Sequence, residues 1–306
     1  MPSPSDWFVV VNPASGGGRA GRRWPKLARE LRAAGVAFES VVTAHPGHAV
    51  SLAKDAVDKG FRRLLAVGGD GILHEVLNGA LGQQRVRASD LLLGAAPLGS
   101  GNDWARTHGI PSRAAETARC VAAGLCRPHD LGRLDFPEVS GEGRSCHFIN
   151  VAGAGLDAYV LERLPAGVPR RLGYIVGVLR SLATYVPPEF TVEVDGQASR
   201  GRLYLALLSM TPYCGGGMHV APAARTDDGL LDVIRVEPLQ LPRELSKLRR
   251  IYDGRLPEER FAKYALGQVV RIDSTPAVAV QADGQIVGRT PVVATLLPRA
   301  IMTLCG

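Results

Sequence analysis

Three times in its first third the chain runs through a short, almost wholly apolar stretch and then breaks into glycines. WFVVV (7–11) leads into NPASGGGRAG (12–21), LLAV (64–67) into GGDG (68–71), and LLLGAAPL (91–98) into GSGND (99–103). A continuous apolar run bounded by turn residues reads as a strand buried on both faces, the habit of parallel sheets. Between these runs the spacing turns helical. Trp24, Leu27, Leu31 and Ala34 share one face after the first loop, residues 47–60 form a helical stretch closed by Gly60, and ILHEVLNGAL (72–81) follows GGDG. FESVVT (38–43) supplies one more strand. Strand alternating with helix predicts a parallel sheet covered by helices for residues 1–128.

After about Cys126 the pattern changes. Short apolar runs now alternate with turn residues: CHFINVAGAG, FTVEVDGQ, LYLALLSM, GLLDVIRVEP, QVVRIDS, AVAVQADGQIVG and VVATLLP. FTVEVDG and AVAVQADG alternate with period two and end in Asp-Gly, a strong hairpin signal. Residues 129–290 therefore read as a mostly β domain, interrupted by helical segments at 170–186 and near 242–254. The tail, 291–306, has room to pack back on the first domain. A chain of 306 residues is long enough for two such cores.

Composition narrows the partners. Hydrophobic residues make up 46% and charged residues 21%, which is ordinary for a globular chain and argues against disorder. The formal net charge of +7 favours anionic partners, whether nucleotide phosphates, acidic lipid headgroups or nucleic acid. Arg19, Arg22, Arg23, Arg29 and Arg32 read either as a solvated helix face or as contacts to phosphate or an anionic membrane. No basic platform rich in aromatics is present, so nucleic acid is not expected. Cys120, Cys126, Cys146, Cys214 and Cys305 have no metal spacing and read as reduced thiols. His74, His108, His129 and His219 likewise lack partners at metal spacing and read as core or surface residues. The opening residues lack the features of a secretory leader. The longest apolar candidate, 173–186, is broken by Arg180 and is too short to span a bilayer, though it could touch one. These features predict a cytoplasmic location.

GGDG stands where a parallel strand ends and a helix begins, the edge at which open α/β sheets bind ligands. Glycines let an anion approach backbone N–H groups, and the helix N-terminus adds partial positive charge. A bare phosphate would repel Asp70. The residue makes sense beside Mg²⁺, or as acceptor of a proton from a hydroxyl that attacks phosphorus; otherwise it is the N-cap of a tight turn. The loops at 12–21 and 99–103 fall on the same edge. None of the three is a Walker A sequence or a dinucleotide fingerprint.

The order N-P-x-S-G, G-G-D-G with E-V-x-N-G, P-L-G-S-G-N-D, and D-D-G-L-L-D-V with D-G in the β half resembles the diacylglycerol kinase catalytic-domain superfamily, which includes bacterial soluble lipid kinases and sphingosine and ceramide kinases. GGDG alone is shared with NAD kinases and phosphofructokinases; the four motifs in order span nearly the whole chain. The resemblance implies an NAD kinase-like three-layer α/β domain that binds ATP and an antiparallel β-sandwich that receives lipid. It places Asn12, Thr43, Gly68, Gly69, Asp70 and Gly71 at the nucleotide, with Glu75, Ser100, Gly101 and Asn102. It makes Asp70 and Asp283 the catalytic candidates, and it gives Asp228 with the backbone of Arg225 and Leu230 to a structural Mg²⁺. It implies peripheral contact with the inner face of a membrane and leaves room for a homodimer. Two departures stand out. Ile72 replaces the usual Thr after GGDG, and Gln285 replaces the acid of a D-G-E motif, a residue that cannot take a proton. A NAD kinase-like enzyme with a soluble substrate, or a binder that has lost turnover, are the alternatives.

Overall fold

The computed structural model describes residues 6–137, 143–163, 177, 181, 184–238 and 250–306. Most of the helical segments expected at 170–186 and 242–254 therefore lies outside the described residues. The chain divides into two compact units, residues 1–129 with 299–306, and residues 130–298.

The first unit alternates strand and helix: β1 (Trp7–Val11), α1 (Ser15–Ala33), β2 (Phe38–Val42), α2 (His48–Asp58), β3 (Arg63–Gly68), α3 (Asp70–Leu81), β4 (Leu92–Pro97), α4 (Asp103–Thr107) and α5 (Ala114–Ala123). The sheet order is β2-β1-β3-β4, and these four strands are parallel. Their registers align Val11 with Val67, and Gly68 with Pro97, so the three glycine loops leave from one edge. Val9, Val10, Leu65 and Val67 are fully buried, as the continuous apolar runs demand. The helices pack by short residues at helical spacing. On α2 the buried set is Ala49, Ala53, Ala56 and Val57. On α3, Gly79 lets the backbones touch, because a Cβ there would fall 2.1 Å from the carbonyl oxygen of Val50.

The second unit is built from β strands. β5 (Cys126–Phe136) enters it, followed by β6 (Arg144–Phe148), β7 (Val151–Gly155), α6 (Leu156–Glu162), β8 (Glu189–Val194), β9 (Gln197–Arg202), β10 (Leu205–Ser209), β11 (Tyr213–Cys214), β12 (Met218–His219), β13 (Leu231–Val236), β14 (Ala262–Gly267), β15 (Val269–Thr275), β16 (Ala279–Ala282), β17 (Gln285–Arg289) and β18 (Val292–Leu304). One sheet runs β14-β13-β10-β7-β16-β17, with every pairing antiparallel. The facing strands include β18-β15-β8-β9 and the β5–β6 pair. Between them lies one apolar core that draws Phe148, Ala154, Phe190, Leu208, Val233, Ile272, Val280 and Ala294 from both faces. This is the two-layer burial of a sandwich. Both Asp-Gly signals are hairpin turns with positive φ at both residues, Asp195 and Gly196 at 48° and 84°, Asp283 and Gly284 at 49° and 81°. The last residues of β18 return to the first unit, where Met302 and Thr303 run parallel to Leu92 and Leu93.

Candidate active site

The three glycine loops of the first unit interlock. In the first, Asn12 ties its own turn, its side-chain oxygen accepting the N–H of Ala14 at 3.0 Å, while its backbone N–H donates to Val67 at 3.0 Å. Gly16, Gly17 and Gly18 then take left-handed φ values of 63°, 66° and 79°, so regular helix begins only at Arg19. In the second loop, the carbonyl of Gly68 accepts two N–H groups from the third, Leu98 at 2.8 Å and Gly99 at 2.7 Å. The third closes on itself: Gly99 N–H donates to Asn102 Oδ1 at 3.0 Å, and Asn102 Nδ2 returns a bond to Gly99 at 3.1 Å. Arg19 reaches across from the first loop and donates to the carbonyls of Leu98 and Gly99.

The glycines are where backbones meet. A Cβ on Gly99 would lie 2.3 Å from Gly69 Cα, and one on Gly68 would lie 2.7 Å from Ser15 Oγ. Asp70 opens α3 directly above this contact. Its two carboxylate oxygens accept the N–H groups of Asp103 and Trp104, each at 3.2 Å, and so cap the first turn of α4. The N-cap of its own helix is Gly69. The structure thus brings Asn12, Gly68, Gly69, Asp70, Gly71 and the Ser100–Asn102 stretch into one cradle. Thr43 follows β2 and donates its N–H to Val11 at 2.8 Å, on the same edge. Glu75 stands half-buried a turn further along α3.

The remaining candidates belong to the second unit. Asp283 is buried, and its carboxylate accepts three backbone N–H groups, from Ile149 at 3.2 Å, Asn150 at 2.9 Å and Val151 at 3.2 Å. It pins the bend between β6 and β7. Gln285 begins β17. At the other candidate turn, Asp228 is exposed and accepts the N–H of Leu230 at 3.1 Å, and Arg225 pairs at 3.8 Å with Asp227. Below it lies buried Asp232, whose carboxyl is pushed up to about 6 by burial and by the charge of Asp228. Asp130, fully buried, accepts the N–H of Gly229 at 2.8 Å and braces the same turn. Among the described residues no group of three or more His, Cys, Asp or Glu could hold a metal ion through side chains. The exposed carboxylate of Asp228, close enough to raise the buried Asp232, is a hard oxygen donor of the kind Mg²⁺ takes.

Sequence reasoning passed over Asp157, at the start of α6. It is buried, it accepts a bond from Gln281 Nε2 at 3.0 Å, and burial pushes its carboxyl up to about 6. The one signal in the sequence is a lone acid inside the small, apolar stretch VAGAGLDAYV.

A parallel α/β unit with an interlocked glycine cradle, joined to an antiparallel sandwich, defines a two-domain kinase of the NAD kinase-like fold. Residues 6–134 match the diacylglycerol kinase catalytic domain, and residues 150–305 match the YegS C-terminal NAD kinase beta sandwich-like domain. The chain belongs to this family of lipid kinases and is a phosphotransferase. It is 28% identical to a diacylglycerol kinase of Bacillus subtilis over 290 residues, covering 92% of this chain and 90% of that one. It is 29% identical to a diacylglycerol kinase of Mycobacterium tuberculosis over 303 residues, covering 97% and 94%. A crystal structure of a diacylglycerol kinase from Bacillus anthracis superposes with a TM-score of 0.72 at 21% identity, covering 99% of this chain and 97% of that one, which bears out the fold. The family implies a nucleotide and a lipid as substrates.

Proposed function

We propose that the protein transfers the γ-phosphate of ATP to a hydroxyl of a diacylglycerol-like lipid. The observation that carries this reading is the contact of Gly69 with Gly99, which welds two loops into one N–H-rich edge at the start of α3. Phosphoryl transfer asks a protein mainly for positioning and charge neutralisation. The cradle supplies the first through backbone N–H groups, and Arg19 keeps the loops in register. Asp70 is the preferred acceptor of the hydroxyl proton. Its carboxylate stands in the cradle, whereas that of Asp283 is engaged by three amides of its own unit. Asp228 and the carbonyls of Arg225 and Leu230 would hold Mg²⁺, which would supply a fixed positive charge at their turn. Among the described residues no helix is long and apolar enough to cross a membrane. The net charge of +7 supports peripheral docking on anionic lipid at the inner membrane face.

The test is incubation with labelled ATP, Mg²⁺ and detergent-dispersed lipids, with Asp70→Asn alongside. Label in the organic phase that disappears in the variant is the expected result. Label transferred to NAD, with none in lipid, would replace this reading by a soluble-substrate kinase.

A further inference from the structure

The link from β2 to α2 is the short stretch TAHPG (43–47), and the helix opens on His48. His-Pro-Gly-His folds there as a tight turn. The carbonyl of His45 accepts the N–H of His48 at 3.3 Å, and Gly47 between them takes φ 80° and ψ −10°. Those angles belong to the third residue of a type II turn, the position that asks for glycine, and proline is favoured just before it. Such a turn brings its first and last residues together, and here both are histidine. Their rings stack, with centroids 4.8 Å apart and planes 14° from parallel.

The backbone holds each ring. His48 Nδ1 accepts the N–H of Ala44 at 3.0 Å, so the proton of this ring sits on Nε2. His45 Nδ1 lies 2.9 Å from the carbonyl oxygen of Pro46 and donates to it, which leaves a lone pair on Nε2. One lone pair between two rings is too few for a metal site. His48 is half-buried, whereas His45 is exposed, so the stack ends in an open aromatic face.

The place of that face says what fits it. It follows Thr43, whose N–H is tied to Val11, the last residue before the first glycine loop. In the order β2-β1-β3, the end of β2 stands two strand spacings, about 10 Å, from the end of β3 where GGDG begins. A ligand with its phosphates in the cradle can therefore lay its far end on the turn. A flat aromatic face takes a flat ring, and every nucleobase has one to offer.

We propose that the His45–His48 stack is the platform for the base of the nucleotide, with His45 against the base and His48 as the positioning residue that holds the His45 ring parallel to it. This rests on the ATP reading above and names the residues that recognise the base end of the phosphate donor.

The probes are ATP and inorganic tripolyphosphate, titrated against the full-length wild type, His45→Ala and His45→Phe. His45→Ala is expected to weaken ATP by about tenfold and to leave tripolyphosphate unchanged, because the cradle is untouched. It should raise KM for ATP more than it lowers kcat. His45→Phe keeps an aromatic face and should restore most of the ATP affinity. The proposal is overturned if His45→Ala binds ATP as the wild type does, if it weakens both probes equally, or if His45→Phe is no better than His45→Ala. The kinase reading fails separately. A wild type that shows this pattern of binding but labels no lipid sinks the reaction and leaves the platform standing. A wild type that labels lipid, with His45→Ala indistinguishable from it, sinks the platform alone.

Discussion

The carboxylate of Asp70 accepts the backbone N–H of Trp104 at 3.2 Å, so the residue proposed as proton acceptor also caps the helix that follows the third glycine loop. The two roles separate on substitution. Asp70→Asn keeps one oxygen for the cap and should cost about 1 kcal/mol of stability. Loss of the proposed proton acceptor should lower kcat by about a hundredfold or more. Thermal unfolding and lipid phosphorylation measured on the same preparation decide the matter. An activity loss no larger than the unfolded fraction explains would make Asp70 a cap and nothing else.

Gly99→Ala tests the cradle itself. The added methyl would lie 2.3 Å from Gly69 Cα and 2.7 Å from its nitrogen, and backbone cannot rotate away as a side chain can. The loops must part, at a cost of about 1–3 kcal/mol. Nucleotide affinity should fall by about tenfold or more, because the N–H groups no longer converge. Gly201→Ala, where a Cβ meets nothing within 4 Å, is the control and should leave both quantities unchanged. Titration with ATP reads the difference.

Asp283 presents the opposite balance. Its carboxylate serves three amide groups of the β6–β7 bend, and Asp283→Ala would leave all three without that acceptor. A loss of roughly 3 kcal/mol or more in stability is expected. The folded fraction should retain far more of its kcat than Asp70→Asn does. Denaturant unfolding combined with kcat per folded molecule tests this. A kcat collapse with unchanged unfolding would move the proton acceptor from Asp70 to Asp283.

The same bend shows what the sequence hid. CHFINVAGAG reads as one run, yet it folds as two strands, because Asp283 draws the N–H groups of Ile149 to Val151 out of the ladder. That bond joins residues far apart in the chain, and no local pattern encodes it. β5 escaped notice for a different reason: CRPHDLGRLDF carries Pro128 and charged residues, and its burial comes from the strands around it. The parallel strands were legible because burial on both faces writes a continuous apolar run, and the Asp-Gly turns because positive φ narrows the choice of residue. The cradle was legible as glycine where backbones touch. Asp157 was not, since an acid becomes informative only once its burial is known.

Two desolvated groups, half-buried His108 and buried Asp157, give stability opposite pH dependences, one in each unit. His108 packs on Trp104 with ring centroids 4.1 Å apart, and burial, with the charges of His129 and Arg127, holds its pKa well below the usual 6.5. The unfolded chain takes up the proton first, so the first unit should lose stability as pH falls below about 6.5 and be level above it. Burial pushes the Asp157 carboxyl up from the usual 3.8 to about 6, so its ionisation works the other way. The second unit should lose stability as pH rises from about 3.8 to about 6, by roughly 3 kcal/mol at full extent. Asp157→Asn should recover most of that above about pH 7 and nothing below about pH 4. The units can be followed apart, because Trp7, Trp24 and Trp104, all the tryptophans of the chain, lie in the first. Tryptophan fluorescence under urea should show the acid-side loss in the wild type and lose it in His108→Gln, while far-ultraviolet circular dichroism should show the stabilising effect of Asp157→Asn. A variant Asp157→Asn no more stable than the wild type at about pH 8 would mean that the carboxylate is solvated in the native state.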